Sequence, residues 1–323
     1  MTEKIENKII ARWLKKALNR RDFLKAHLKG ALILAAGSSG ILFPKMVFSE
    51  TVPDIVVAKG SPVEALKAAM KLMGGMSNFV KPGNKVIIKP NMSFANKPEM
   101  ATNTNPLIVK ELAIMCKEAG ASSILITDYT LQEPKSCLSN SGIQDACKDI
   151  AGVTVASANS DALFKETEFP NAVTMKKNSV HKDALNADVL IAAPVAKCHM
   201  ATGVSLSMKG MMGLVWDRRS MHSTDLSSSI VDMCAKVLKA KLTIIDGSRV
   251  LSTNGPGGPG KVLEENTIIV SRDMVAADSY AVSAFEWYGQ KLAPKQVEHI
   301  RLASERGLGR MDIENMTIKK LVI

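Results

Sequence analysis

The chain has 323 residues, 46% of them apolar and 23% charged, which fits a globular fold with room for one large domain or two small ones. Its formal charge of +11 is concentrated at the start: residues 1–49 hold ten basic against three acidic side chains, leaving 32 against 28 over the rest. A body so near balance lacks the basic face that a phosphate-backbone binder needs, so no nucleic-acid partner is expected.

Residues 1–49 have the order of an export signal: a basic leader, the apolar stretch ALILAAGSSGILF at 31–43, then a short polar region ending near VFSE. An apolar stretch of 13 residues falls short of the roughly 20 that span a bilayer, so an uncleaved membrane anchor ranks second to cleavage near Glu50. Within the leader, NRRDFLK at 19–25 resembles the twin-arginine translocation motif through Arg20 and Arg21, followed by Phe23, Leu24 and Lys25. That resemblance implies the twin-arginine machinery as a partner, a periplasmic or extracytoplasmic destination, and export after folding, often with a cofactor already inserted. A signal segment over 1–49 and a folded domain over 50–323 are the expected division.

Beyond residue 50 short apolar runs alternate with amphipathic ones, the pattern of an α/β domain: a mainly parallel sheet flanked by helices, with a smaller inserted lobe around 200–240. Strands are expected at 54–59, 85–90, 123–128, 153–157, 188–197, 242–246 and 266–271, and in the closing TIKKLVI. Helices fit between them. One begins with Ser61 as its cap and Pro62 in its first turn, and another runs from Asn105 to Gly120; two more are read from 222–239 and 277–290.

Ligands of open α/β sheets bind beyond the carboxyl ends of the strands, so the polar residues there are the candidate site. Lys89 and Asn91 follow one strand, Asp128 ends another, Lys197 and His199 a third, and Asp246 a fourth. The densest cluster lies between 197 and 225, with Lys197, Cys198, His199, Lys209, Asp217, Arg218, Arg219, His222 and Asp225. Lysine and arginine suit carboxylate or phosphate groups, and histidine transfers protons or binds metal. Cys198 beside His199 is a poor catalytic dyad, because neighbours on an extended strand face opposite ways; Lys197 and His199 would share a face and Cys198 would meet the core. The Gly-Pro run 252–261 reads as a rigid turn over the site, with Gly255 and Gly257 as candidate anion-binding amides. Met208, Met211 and Met212 have the spacing of one packed helix face. Five cysteines without a C-x-x-C spacing write no ferredoxin-type cluster; Cys116 and Cys234 fit buried helix positions, and pairing of Cys137 with Cys147 stays open.

In this order VIIKPNM, APVAKCHMATGVSLSMKGMMG, DRRSMH, TIIDGSRV, GPGGPGK and SRDMVAADSYA resemble the domain of unknown function 362 family over roughly residues 54–290. The family pattern falls on Lys89, Asn91, Lys197, His199, Lys209, Gly213, His222, Asp246 and Gly255-Pro256. Relatives often carry Lys-Asn where this chain has Lys209-Gly210. Some relatives also carry a cysteine-rich, ferredoxin-like segment that this chain lacks.

Two functions remain open from the sequence. The first is an exported enzyme of a small anionic substrate. In it Lys197, Lys209, His199 and His222 are catalytic, Lys89, Asn91, Arg218, Gly255 and Gly257 bind substrate, and Asp128, His199, Asp246 and Cys198 are candidate ligands of a divalent metal. The second is a non-catalytic metal, iron-sulfur or electron-transfer accessory protein with a redox partner and Cys198, His199 and His222 as ligands.

Overall fold

A computed structural model describes residues 52–323. The export signal read at 1–49 lies outside the described residues, among which no helix is long and apolar enough to cross a membrane.

Thirteen strands occur in chain order: β1 (Ile55–Lys59), β2 (Lys85–Pro90), β3 (Ser123–Asp128), β4 (Val153–Ser157), β5 (Phe164–Glu168), β6 (Lys177–His181), β7 (Val189–Ala193), β8 (Val195–His199), β9 (Gly203–Val204), β10 (Leu242–Leu251), β11 (Val262–Leu263), β12 (Thr267–Ser271) and β13 (Ile318–Val322). The helices are α1 (Pro62–Leu72), α2 (Pro106–Glu118), α3 (Pro134–Asn140), α4 (Ile143–Cys147), α5 (Lys182–Asn186), α6 (Leu206–Gly210), α7 (Arg218–Ser223), α8 (Leu226–Ala235), α9 (Met274–Ala284) and α10 (Glu298–Glu305).

The main sheet runs β13-β1-β12-β10-β7-β2-β3-β4, and β5 with β6 makes a separate antiparallel pair. The sheet is mostly parallel; β12 is antiparallel to both β1 and β10. Alternate strand residues feed two apolar layers. Val56, Val86, Ile88, Ile191, Ile244 and Ile268 face the layer covered by α1, α2 and α4. Ile87, Leu190, Ile245 and Ile269 face the layer covered by α6, α8, α9 and α10. Burial on both faces explains why these strands read as unbroken apolar runs.

Helix starts are set by local chemistry. Asn105 caps α2 by accepting from the Leu107 amide, and Pro106 costs no hydrogen bond at the first turn. Pro62 opens α1 in the same way, but the expected serine cap is absent: the Ser61 side chain accepts no hydrogen bond there. The strand expected at 188–197 is two strands, because Pro194 has no amide to donate and β8 leaves β7 to pair with β10 and β9. The segment 200–240 enters between β8 and β10 as α6, α7 and α8, with Met208, Met211 and Met212 buried in the core as their spacing suggested. All five cysteines are buried and free, including Cys137 and Cys147.

One topological feature locates the site. From β2 the chain steps outward to β3 and β4, then returns to lay β7 against the other side of β2. Connections leave in opposite directions from this pair of strands, opening a crevice at their carboxyl ends.

Candidate functional site

A cleft of about 220 Å³ lies at that crevice. Asn91, Ser93, Phe94 and Asp128 line it from the ends of β2 and β3, Lys197 and His199 from β8. The facing wall is a single stretch of chain carrying Lys209, Gly213, Arg218, Arg219 and His222.

The floor is an ion pair. Lys89 Nζ lies 2.8 Å from Asp128 Oδ1, with both side chains almost wholly buried. The other carboxylate oxygen, Asp128 Oδ2, accepts from the Met92 amide at 2.9 Å and the Ser93 hydroxyl at 2.7 Å, and Lys89 also donates to the Pro90 carbonyl at 2.6 Å. Asp128 therefore shapes the loop after β2 and is neutralised in place. A Cβ at Gly213 would fall 1.9 Å from Asp128 Oδ1 and 2.5 Å from Lys89 Cε, so glycine is required where this wall crosses the pair. Asn91 accepts from the Val195 amide at 3.0 Å, fixing the break between β7 and β8.

Because β8 extends through His199, Lys197 and His199 share the cleft face while Cys198 turns into the core. Lys197 Nζ donates to the Thr102 carbonyl at 2.6 Å and sits 4.8 Å from the Phe94 ring centre. Burial, reinforced by Lys209 and Lys89 and opposed by Asp128, brings its ammonium down to about 7. His199 is held down to about 3 by burial and by the Lys209 and Lys197 charges. Its Nδ1 accepts from the Ala201 amide at 3.1 Å, which puts the proton of the neutral ring on Nε2. His199 is thus equipped as a neutral donor to an anion; its Nδ1 lone pair is already engaged.

The facing wall starts from an unusual turn. Leu206 holds a left-handed φ of 52°, and the buried Asp278 carboxylate accepts from the Ser207 and Met208 amides at 2.9 and 3.0 Å to secure the start of α6. Burial raises Asp278 to about 7. Lys209, at the end of α6, falls to about 8 through burial and the Arg218 and Lys89 charges. The Arg218 guanidinium lies 3.5 Å from the Tyr129 ring centre, Tyr129 packs on Trp216, and Trp216 on Phe164 of the β5–β6 pair. His222 is lowered by its partial burial and by Lys209 and Arg218.

The two carboxylates of the 197–225 cluster turn away from the cleft. Asp217 caps α7 at the Ser220 amide and Asp225 caps α8 at the Ser228 amide. What faces the cleft is therefore four cations and two histidines against one neutralised carboxylate.

Several expected site residues lie elsewhere. Lys89 sits under the floor with its charge taken by Asp128, so it does not itself line the cleft. Asp246 is buried away from the cleft, where it accepts from the Asn105 amide at 2.8 Å and from the Ser248 amide and hydroxyl at 3.0 and 2.6 Å. Cys198 Sγ accepts from the Gly255 amide at 3.1 Å. Gly255 is thereby turned inward, and Gly257 packs on Phe94 while its carbonyl accepts from Asn96. Neither glycine amide reaches the cleft; Pro256 does, covering its edge. The four proposed metal ligands Asp128, His199, Asp246 and Cys198 are not brought together, and among the described residues no group of three or more His, Cys, Asp or Glu side chains is placed to hold a metal ion. Unexpected contributors are Ser93, Phe94 and Leu131, which line the cleft, and Tyr129, which supports Arg218. Each follows a strand-end residue by one to four positions, so extending the strand-end inventory by one turn would have found them.

The fold and the site together define an α/β protein with a cationic cleft at the sheet's switch point. Residues 86–283 match the family described as Domain of unknown function (DUF362), and the chain belongs to that family. It is 25% identical over 228 residues to a thylakoid-associated protein of Synechocystis sp., covering 68% of each chain. Among solved structures it is similar to the lactate racemase apoprotein of Thermoanaerobacterium thermosaccharolyticum, with 18% identity and a TM-score of 0.40. That likeness covers 65% of this chain and 54% of the racemase chain.

Proposed function

We propose that the protein is an enzyme of a small anionic substrate and that the cleft between β2, β8 and the α6–α7 segment is its active site. The observation that carries this reading is the charge of the lining: Lys197, Lys209, Arg218 and Arg219 face a cavity whose one carboxylate, Asp128, is already paired. Cations gathered in a partly desolvated pocket repel one another, and a bound anion relieves that repulsion. Arg218, stacked on Tyr129, offers a carboxylate or phosphate its planar fork. Lys197, at about 7, is placed to give or take a proton near neutrality, with His199 as a fixed donor beside it. A metal or cluster accessory role would require Cys198 to join His199 and His222, whereas its sulfur faces the core.

The leader at 1–49 supports delivery across a membrane by the twin-arginine route. Within this reading the enzyme works in an extracytoplasmic compartment.

Calorimetric titration at low ionic strength with phosphate, sulfate and pyruvate tests the site. Binding is expected, and Arg218→Ala should weaken it by about ten- to a hundredfold, the value of one charge-assisted hydrogen bond. A protein that binds none of these anions, or an R218A variant that binds them as tightly as the parent, would refute the reading.

A further inference from the structure

Two lysines line the cleft and a third lies beneath its floor, and their amines are held differently. Lys89 is tied to Asp128 and to the Pro90 carbonyl. Lys197 donates to the Thr102 carbonyl. Lys209 donates to no partner among the described residues, although it stands half-buried in the cleft wall. An amine partly stripped of water beside a second cation becomes a nucleophile at moderate pH, and Arg218 is that cation here. With the ammonium brought down to about 8, roughly a tenth of the amine is neutral at pH 7.

The remaining lining fits one kind of partner for such an amine. Arg218 and Lys197 are suited to a carboxylate, and the cavity of about 220 Å³ falls below the roughly 300–1,000 Å³ of sites for drug-sized ligands, which favours a substrate of a few carbons. His222, at the cleft's exposed rim and close enough to be lowered by the Lys209 charge, can carry protons to and from solvent.

We propose that Lys209 forms an imine with the carbonyl carbon of a small 2-oxo acid whose carboxylate is held by Arg218 and Lys197. The proposal rests on the anion-binding reading of the cleft and adds a covalent step to it. The Lys209 Nζ lone pair forms a bond to the carbonyl carbon as the C=O π pair moves to oxygen. A proton passes from nitrogen to that oxygen, giving a neutral carbinolamine. His222 in its protonated form protonates the hydroxyl, which departs as water while the nitrogen lone pair closes the C=N bond. The resulting iminium is protonated, and loss of its N–H proton to His222 gives the neutral imine and restores the histidine. One water is released and no oxidant or reductant is consumed.

The test uses the full chain incubated with pyruvate and sodium borohydride, then digested and mapped by mass spectrometry. Hydride reduces the imine to a stable secondary amine. The expected result is an adduct on Lys209 at about one per chain, absent without borohydride and suppressed by excess phosphate. Lys209→Arg should lose the adduct while its circular dichroism spectrum and thermal midpoint stay those of the parent, which shows that the loss is not a failure to fold. Adducts spread over exposed lysines such as Lys67 and Lys148, or none on Lys209 in a parent protein that binds pyruvate, would overturn the imine and leave the anion site standing. Failure to bind either pyruvate or phosphate would overturn both.

Discussion

Gly213→Ala probes the floor of the cleft with a single methyl group. The Gly213 backbone lies outside the left-handed region, so the substitution meets a problem of space alone. The added carbon would lie 1.9 Å from Asp128 Oδ1, 2.5 Å from Lys89 Cε and 2.9 Å from Lys89 Nζ. None of these atoms can yield cheaply: Asp128 also holds the Met92 amide and the Ser93 hydroxyl, and Lys89 holds the Pro90 carbonyl. Parting a buried ion pair costs about 3–5 kcal/mol, and G213A should lose about that much stability. Urea denaturation read by circular dichroism would show a lower midpoint with an unchanged slope, and sulfate affinity should drop because Ser93 and Phe94 line the cleft. A double-mutant cycle with Asp128→Ala isolates the cause. If the methyl acts through the pair, the double variant should be little worse than D128A alone. A G213A protein within about 0.5 kcal/mol of the parent, or strict additivity in the cycle, would refute the account of the floor.

Sulfate affinity should hold below pH 7 and fall about tenfold per lost charge as Lys197 and Lys209 deprotonate through about 7 and 8; a loss already complete below the usual histidine range would assign the binding to His222 instead. Both lysines have folded pKa values below their usual 10.5, so the unfolded chain binds more protons above pH 7. Stability without an anion should therefore rise with pH between about 7 and 10.5, and Lys197→Met should flatten that rise in a series of melts. Cys198→Ala should cost about 1–3 kcal/mol, the burden of leaving the Gly255 amide unpaired, with sulfate affinity unchanged; weaker binding would place the sulfur in the site. Replacing Arg20 and Arg21 together by lysine should leave the protein in the cytoplasm with its leader intact, as read by cell fractionation and mass; normal export would dismiss the twin-arginine reading.

The sheet was legible because its central strands are buried on both faces, while the edge strand β4, no residue of which is fully buried, still carries the β-branched run Val-Thr-Val. Apolar runs at 85–90, 123–128 and 153–157 coincide with β2, β3 and β4 to the residue. The β5–β6 pair was not: FKETE and KNSVH carry neither an apolar run nor clean alternation, and the pair is held in place from outside, with the Trp216 amide donating to the Ser179 carbonyl and the indole against Phe164. Strand geometry sorted Lys197 and His199 from Cys198 correctly, since alternation is a local rule. It could not sort Asp128 from Asp246. Both are buried acids on strands of one sheet, and only the tertiary fold decides that one meets Lys89 beside a cavity while the other receives the Asn105 amide. Asp217 and Asp225 could have been read better, because an aspartate directly before the first residue of a helix is a capping signal.

The cleft has two sides with different tolerances for change. The floor is locked into the sheet: Lys89, Asp128 and Gly213 fit one another so closely that any one of them constrains the other two. The wall from Ser205 to His222 is short helices and turns, anchored at one end by Asp278 and braced at the other by Trp216, whose carbonyl accepts from the Arg218 amide and whose ring packs on Tyr129. Among the described residues the side chains of Lys209, Arg219 and His222 hydrogen-bond to neither anchor nor floor, so these three positions can vary with both left in place. Under the proposed anion-binding reading, exchanging these three side chains would change which anion the cleft prefers while the sheet beneath it stays intact.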